Sequence, residues 1–326
     1  NADERLAPAS LTKLMTAYAV FRALQEDQLR LEDQVTVSEK AWRTQGSRMF
    51  IEVGKRIAVK DLILGMIVQS GNDASVALAE HLAGTESVFA EVMNRYAAQL
   101  GMRGSQFRNA TGLPDDGHYT TARDMATLAR AIVNEFPEYY KWYSVREFTF
   151  NDITQPNRNS LLWRDSSVDG MKTGHTDDAG YCLVSSAKRD DMRIVAVVLG
   201  TSSAKARIDG SQALLNYGFR FFETRLLYAA GTEVANARIW KSAHEFSKLG
   251  LAEDLTVRRG SYDALESVLN IPALLMAPVA QGQPVAELKV SLKGTELLSE
   301  PLRALAENPT GSLWQRMTDS VQLWFE

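Results

Sequence analysis

The sequence predicts an α+β protein, with helices packed on an antiparallel sheet and then a smaller all-β domain. Three observations carry this. Helix-periodic segments dominate the first part of the chain. Two β-rich runs around a polar turn arrive together and late in that part, as a hairpin rather than as strands alternating with helices. After about Tyr228 the texture changes to short alternating runs punctuated by glycine and proline.

The elements follow in chain order. Pro8 to Leu24 reads as a helix that is apolar around most of its circumference, and a helix without a polar face is buried. VKDLILGMIVQSGNDASVALAEHLAG reads as two helical segments interrupted at SGN. TTARDMATLARAIVNEF is an amphipathic helix that Thr120 or Thr121 can cap and Pro137 ends. GYCLVSSAKRDDMRIVAVVLGT is the hairpin, and SQALLNYGFRFFET returns to helix. LTVRRG, PVAELKVSLKG and LLSEPLRALAE supply strands of the second domain. The expected division is 1–228, 229–312 and a terminal segment 313–326. In that segment Trp314, Met317, Val321 and Trp324 share one helical face, with Leu313 and Phe325 beside it. Arg316, Asp319 and Gln322 fall elsewhere, as expected either for a helix docked on its own domain or for one lying in a membrane surface.

Composition narrows the function classes. The 326 residues are 45% hydrophobic and 23% charged, with ample material for a large core. A net charge of −4, with no Lys/Arg block, argues against a nucleic-acid partner. The single cysteine, Cys182, cannot form an internal disulfide and reads as a buried strand residue. No Cys/His cluster has metal-ligand spacing, so neither metal nor cofactor is expected. No stretch is apolar enough to span a bilayer. The chain begins at Asn1 rather than Met, so a processed or trimmed N-terminus is expected.

A serine becomes a nucleophile when a nearby base takes its proton, and a lysine can serve if burial keeps it neutral. Ser10 and Lys13, in SLTK, share one face of the apolar helix, where Leu11, Leu14, Met15, Tyr18 and Phe21 exclude water. The S-x-x-K pattern alone is weak, because it recurs at Ser185 and Ser202. The chain also holds one S-x-N (Ser70, Gly71, Asn72) and one K-T-G (Lys172, Thr173, Gly174). Only Ser10 precedes both, by roughly 60 and roughly 160 residues, in the motif order of penicillin-recognising serine acyl enzymes.

PASLTKLMTAY, QSGNDASVALAEH, NRNSLLW and VDGMKTGHTDDAGYCLVSSA resemble the low-molecular-mass D-alanyl-D-alanine carboxypeptidases of the penicillin-binding protein 5 type. The resemblance continues through GFRFFET into the β-rich tail, and so covers nearly the whole chain. It implies the penicillin-binding, serine β-lactamase-like transpeptidase fold for the first domain. In that family sheet-forming residues precede the nucleophile helix, so part of the sheet is expected to lie outside this sequence.

The resemblance implies that Ser10 attacks the penultimate D-alanine carbonyl of a peptidoglycan stem peptide. Lys13 is the expected base, with Lys172 helping to keep it neutral. Ser70 relays a proton to the leaving amine, and Asn72 orients Lys13 and the substrate amide. The backbone N–H groups of Ser10 and His175 form the oxyanion hole. Thr173, Gly174 and Arg207 meet the substrate's carboxylate end, and Arg158 is a second cation of the cleft. A Ser-His triad through His175 is disfavoured, since no acid is placed to orient it. His118, flanked by Gly and Asp, reads as a turn residue.

The implied partners are stem peptides ending in D-Ala-D-Ala, with β-lactams as covalent inhibitors. The implied place is the bacterial periplasm, with the terminal helix on the outer face of the inner membrane. Two other readings stay open: a serine β-lactamase, and a catalytically silent wall-binding scaffold of the same fold. Against the first, the E-x-x-L-N signature of a deacylating glutamate occurs only as Glu266–Asn270, well after K-T-G.

Overall fold

The computed structural model describes residues 1–222, 224–253, 255–258 and 265–324. Phe325 of the terminal apolar face, and the last two residues of LTVRRG, lie outside the described residues. The chain divides into two compact units, Asn1–Phe219 and Arg220–Glu326.

The first unit is built around helix α1 (Thr12–Gln25), which follows a short 3-10 turn at Ala9–Leu11. Nearly every α1 residue is buried, as its apolar circumference requires. Around it lie α2 (Glu39–Arg43), α3 (Val59–Val68), α4 (Asn72–Ala83), α5 (Glu86–Gln99) and α6 (Ala122–Glu135). Short helices α7 (Pro137–Tyr140) and α8 (Leu161–Arg164) follow, and α9 (Ala204–Phe221) closes the unit. The Thr121 hydroxyl caps α6 by accepting from the Asp124 N–H, and Pro137 opens the next helix.

Strands β1 (Gln34–Thr36) and β2 (Arg56–Ala58) form one small antiparallel pair, β3 (Glu147–Phe150) and β4 (Ile153–Pro156) another. The main sheet of the unit is antiparallel in the order β5 (Val168–Thr176), β6 (Gly180–Arg189), β7 (Met192–Thr201). The β6–β7 pair is the expected hairpin. The structure differs at K-T-G, which the sequence places directly before the first strand. Lys172, Thr173 and Gly174 instead lie inside β5, in register with Val184, Leu183 and Cys182. Glycine and a charged residue hide this strand from an alternation pattern, because both its faces are covered at that point.

The second unit holds β8 (Thr224–Tyr228), β9 (Ala235–Arg238), β10 (Phe246–Gly250), β11 (Leu255–Arg258), β12 (Leu265–Asn270), β13 (Pro284–Leu292) and β14 (Thr295–Ala304). Five of these form an antiparallel sheet in the order β12-β13-β14-β10-β9 over a core that includes Ile239, Leu249, Leu288, Val290 and Leu302. β8 pairs with β11, so residues 224–228 belong with this unit and not with the first, to which the sequence boundary at Tyr228 assigned them. A strand partner so distant in sequence leaves no local compositional trace.

Helix α10 (Leu313–Gln322) starts at a capping box between Ser312 and Gln315. It rests on the β-unit through polar groups: Asp319 accepts from the Lys241 N–H, and the Arg238 guanidinium donates to Gln322 at 2.7 Å. Its apolar residues point outward, with Trp314 78%, Met317 63%, Val321 60% and Trp324 90% exposed. Among the described residues no helix is long and apolar enough to cross a membrane.

Candidate active site

Ser10 sits in the turn that leads into α1. The preceding Ala9 has φ +47°, a strained conformation for a residue with a Cβ. Two glycines allow it. A Cβ on Gly112 (φ +83°) would stand 1.7 Å from the Ala9 carbonyl oxygen, and one on Gly174 would stand 3.2 Å from the Ser10 nitrogen. Strand β5 and the loop at Gly112 therefore close on the Ser10 turn from two sides.

Lys13, one turn beyond Ser10 at the start of α1, is buried. Its Nζ lies 2.6 Å from Asn72 Oδ1, 2.6 Å from the Thr111 carbonyl oxygen and 3.0 Å from Ser10 Oγ. A neutral amine has two N–H donors and one lone pair. Asn72 and Thr111 offer only acceptors, so they take the two donors and leave the lone pair facing the serine hydroxyl. Burial is the main force lowering the Lys13 pKa, to about 7; the Asp73 carboxylate opposes it and Arg158 adds to it. Arg158 thus assists burial beside the Lys172 that the sequence reading expected, and the two buried lysines each disfavour charge on the other.

Asn72 opens α4 and Ser70 sits in the break before it, with φ +61°. Ser70 Oγ accepts a 2.9 Å hydrogen bond from Lys172 Nζ, which also donates to the Thr173 carbonyl at 3.1 Å. With Lys172 donating, the Ser70 hydroxyl proton is free to point elsewhere. Lys172 is held well below the ordinary lysine range, first by burial and then by Lys13. The three motifs, far apart in sequence, meet as one hydrogen-bonded cluster.

Thr173 and Gly174 are buried on β5 beside this cluster, and His175 is exposed, with its ring 4.0 Å from that of Tyr181. Arg207 reaches in from α9 and donates to the Gly174 carbonyl at 3.4 Å. Its Nε is buried without a partner, burial lowers its pKa, and no described carboxylate pairs with it. Arg158 donates to the Gln69 carbonyl at 3.3 Å and likewise has no described carboxylate partner. Two unneutralised guanidinium groups thus flank the half-buried Ser10 and the buried Lys13, an arrangement suited to an anionic acyl donor.

The other S-x-x-K copies form no such cluster. Ser185 is buried in β6 and donates to the Ala196 carbonyl, while Lys188 is exposed. Ser202 is exposed and Lys205 pairs with Asp209. Glu266 is an exposed residue of β12. Cys182 is buried in β6, and its thiol pKa is raised by that burial. Among the described residues no group of three or more His, Cys, Asp or Glu could hold a metal ion.

Sequence reasoning missed the loop around Thr111 and Gly112. Its signal is Asn109, whose Oδ1 accepts from the N–H groups of both residues and shapes the turn. His118 is more than the expected turn residue. Its ring is buried, Nε2 is 3.0 Å from Thr12 Oγ1, and burial lowers its pKa to about 4. It supports α1 from behind, in neutral form.

Comparison with known proteins finds similarity along nearly the whole chain. Residues 1–203 match the D-alanyl-D-alanine carboxypeptidase family, and residues 222–309 match the penicillin-binding protein 5 C-terminal domain. The chain is 42% identical to D-alanyl-D-alanine carboxypeptidase DacC of Escherichia coli (strain K12), covering 100% of this chain and 84% of that protein. The structure of penicillin-binding protein 5 from Haemophilus influenzae superposes with a TM-score of 0.80 at 41% identity, over 95% of this chain and 92% of that one. Penicillin-binding protein D2 from Listeria monocytogenes, solved in its ampicillin-bound form, superposes with a TM-score of 0.62 at 32% identity, over 67% and 90%.

Proposed function

The chain belongs to the D-alanyl-D-alanine carboxypeptidase family and is a serine-type, penicillin-binding carboxypeptidase, and from that premise we propose how its residues divide the work. The observation that carries the proposal is the Lys13 lone pair directed at Ser10 Oγ by Asn72 and Thr111. Ser10 Oγ attacks the carbonyl carbon of the penultimate D-alanine of a peptidoglycan pentapeptide, and its proton passes to Lys13 Nζ. The oxyanion is met by the backbone N–H groups of Ser10 and His175. As the peptide C–N bond breaks, Ser70 passes its proton to the leaving amine and takes in return the proton that Lys13 holds, so both are restored, while Lys172 orients Ser70 from behind. Terminal D-alanine departs and leaves an ester on Ser10. Water then attacks the ester, returns a proton to Ser10 Oγ and releases the shortened peptide with a free carboxylate.

Arg207 and Thr173 bind the substrate's terminal carboxylate, with Gly174 letting the chain approach β5. Arg158 extends the positive field to the other side of the cleft. A β-lactam follows the same first step, and its amide nitrogen stays tethered after acylation, so the ester blocks the site. We place the protein in the bacterial periplasm, with α10 attached peripherally to the outer face of the inner membrane. The outward tryptophans and the polar docking of the opposite face support that reading.

The test is release of free D-alanine from a D-Ala-D-Ala peptide, measured beside penicillin turnover. Release of D-alanine with long-lived penicillin labelling is expected. Rapid penicillin turnover without D-alanine release would overturn the reading.

A further inference from the structure

Loop 45–51 has no regular structure of its own, yet it borders the site. Two consecutive residues at the start of α4 grip it. Asn72 donates from its backbone N–H to the Ser47 carbonyl at 2.7 Å and from Nδ2 to the Gln45 carbonyl at 2.6 Å. Asp73 takes the other end. Its Oδ1 accepts from the Met49 N–H at 3.0 Å, and its Oδ2 accepts from Phe50 at 2.9 Å and Ile51 at 3.2 Å. A fourth N–H, that of Ala74, donates to Oδ1 at 2.9 Å. Four N–H donors and no acceptor surround this carboxyl group, so every one of these contacts uses it as an acceptor. It is 1% exposed, and no described lysine or arginine pairs with it. Phe50 is held at φ +66°, a conformation a non-glycine residue keeps only where its surroundings fix it.

We propose that Asp73 is a positioning residue for the reaction: its buried carboxylate clamps loop 45–51 against the site, next to Asn72, which holds both that loop and Lys13, and it acts on Lys13 as a fixed anion. The charged groups that face Lys13 are Asp73 from α4, Lys172 from β5 and Arg158 from the segment between β4 and α8; Arg207 of α9 faces Lys172. Asp73 is the one anion among them. It counteracts the depression that burial and Arg158 impose on Lys13 and keeps the base close to neutrality, where a general base works best.

This inference rests on Lys13 being the acylating base, and the tests separate the two. Amide hydrogen exchange on the intact wild-type enzyme comes first and needs no catalysis. The Met49, Phe50 and Ile51 amides are expected to exchange at least about tenfold more slowly than exposed loop amides, and loop-like exchange there would overturn the clamp.

Asp73→Asn keeps the shape but removes the charge and turns an NH2 group toward two N–H donors. The three amides should lose protection, and the acid limb of kcat/KM should move roughly one pH unit lower. A limb that stays in place would overturn the electrostatic role, because a merely structural change lowers the plateau without moving the limb. Asp73→Glu keeps the charge but cannot repeat the four bonds, so it should lose amide protection and retain the limb. A limb that moves with Glu would assign the shift to the loop and overturn the electrostatic role, whether or not the Asn variant folds. Absence of any limb near neutral pH in wild type would instead refute Lys13 as base and leave the exchange result standing.

Discussion

Lys13 Nζ lies 3.0 Å from Ser10 Oγ with its two other polar contacts, Asn72 Oδ1 and the Thr111 carbonyl, both acceptors. In the proposed mechanism that relationship sets the direction of proton transfer. A charged Lys13 would donate to all three oxygens and leave Ser10 without a base. A neutral Lys13 has its lone pair on Ser10 and nowhere else.

The pH dependence follows from this. Only neutral Lys13 takes the serine proton, and its pKa is lowered to about 7 by burial. Activity should therefore rise as pH increases through about 7 and fall as pH drops below it. A lysine of ordinary pKa, about 10.4, would give a limb some three units higher. A kcat/KM profile for D-alanine release distinguishes the two, and a limb near the ordinary value would contradict the assignment.

Arg207 lacks a carboxylate partner within the described protein, which leaves its charge for the substrate. Arg207→Ala should lower kcat/KM for a free-acid D-Ala-D-Ala peptide by about 10- to 100-fold, the worth of a charge-assisted hydrogen bond. The same peptide capped as a C-terminal amide should show little further loss. Equal losses on both peptides would remove Arg207 from carboxylate binding.

Gly112 is required by space as well as by φ. A Cβ there would stand 1.7 Å from a backbone oxygen, and no side chain can move aside to admit it. Gly112→Ala should destabilise the first unit by about 3 kcal/mol or more. It should also slow penicillin acylation, because the displaced atom belongs to Ala9, next to the nucleophile. A melting curve and an acylation rate check both, and a wild-type result for either would contradict the close approach.

The terminal helix gives a membrane prediction. Trp314→Ser with Met317→Ser leaves the Ser312–Gln315 cap and the Asp319 and Gln322 contacts in place. Flotation with anionic liposomes should be strong for wild type and lost for this variant, and also lost on truncation after Gly311. Equal flotation of all three would refute attachment through α10.

The chemistry-bearing residues were legible because their types are rare in combination: one S-x-N and one K-T-G follow only one of the three S-x-x-K copies. Ser10, Lys13, Ser70, Asn72 and Lys172 could be gathered by order alone. What stayed hidden works through the backbone. Thr111 contributes a carbonyl oxygen, which any residue type could supply. Gly112 matters for the Cβ it lacks, and only the fold reveals what that Cβ would strike. The strand through K-T-G was hidden because both its faces are covered, so no alternation marks it. The amphipathic pattern of α10 was plain, but the pattern is symmetric between facing a core and facing outward. Arg238, far back in the chain, decides it by drawing the polar face inward.

The central claim is that Ser10 carries the acyl group. Intact-protein mass spectrometry after exposure to a penicillin, with peptide mapping, tests it most directly. One added penicilloyl group is expected on the Ser10 peptide of wild type, and none on a folded Ser10→Ala variant that also releases no D-alanine. Labelling that persists in Ser10→Ala, or that maps to Ser185 or Ser202, would contradict it.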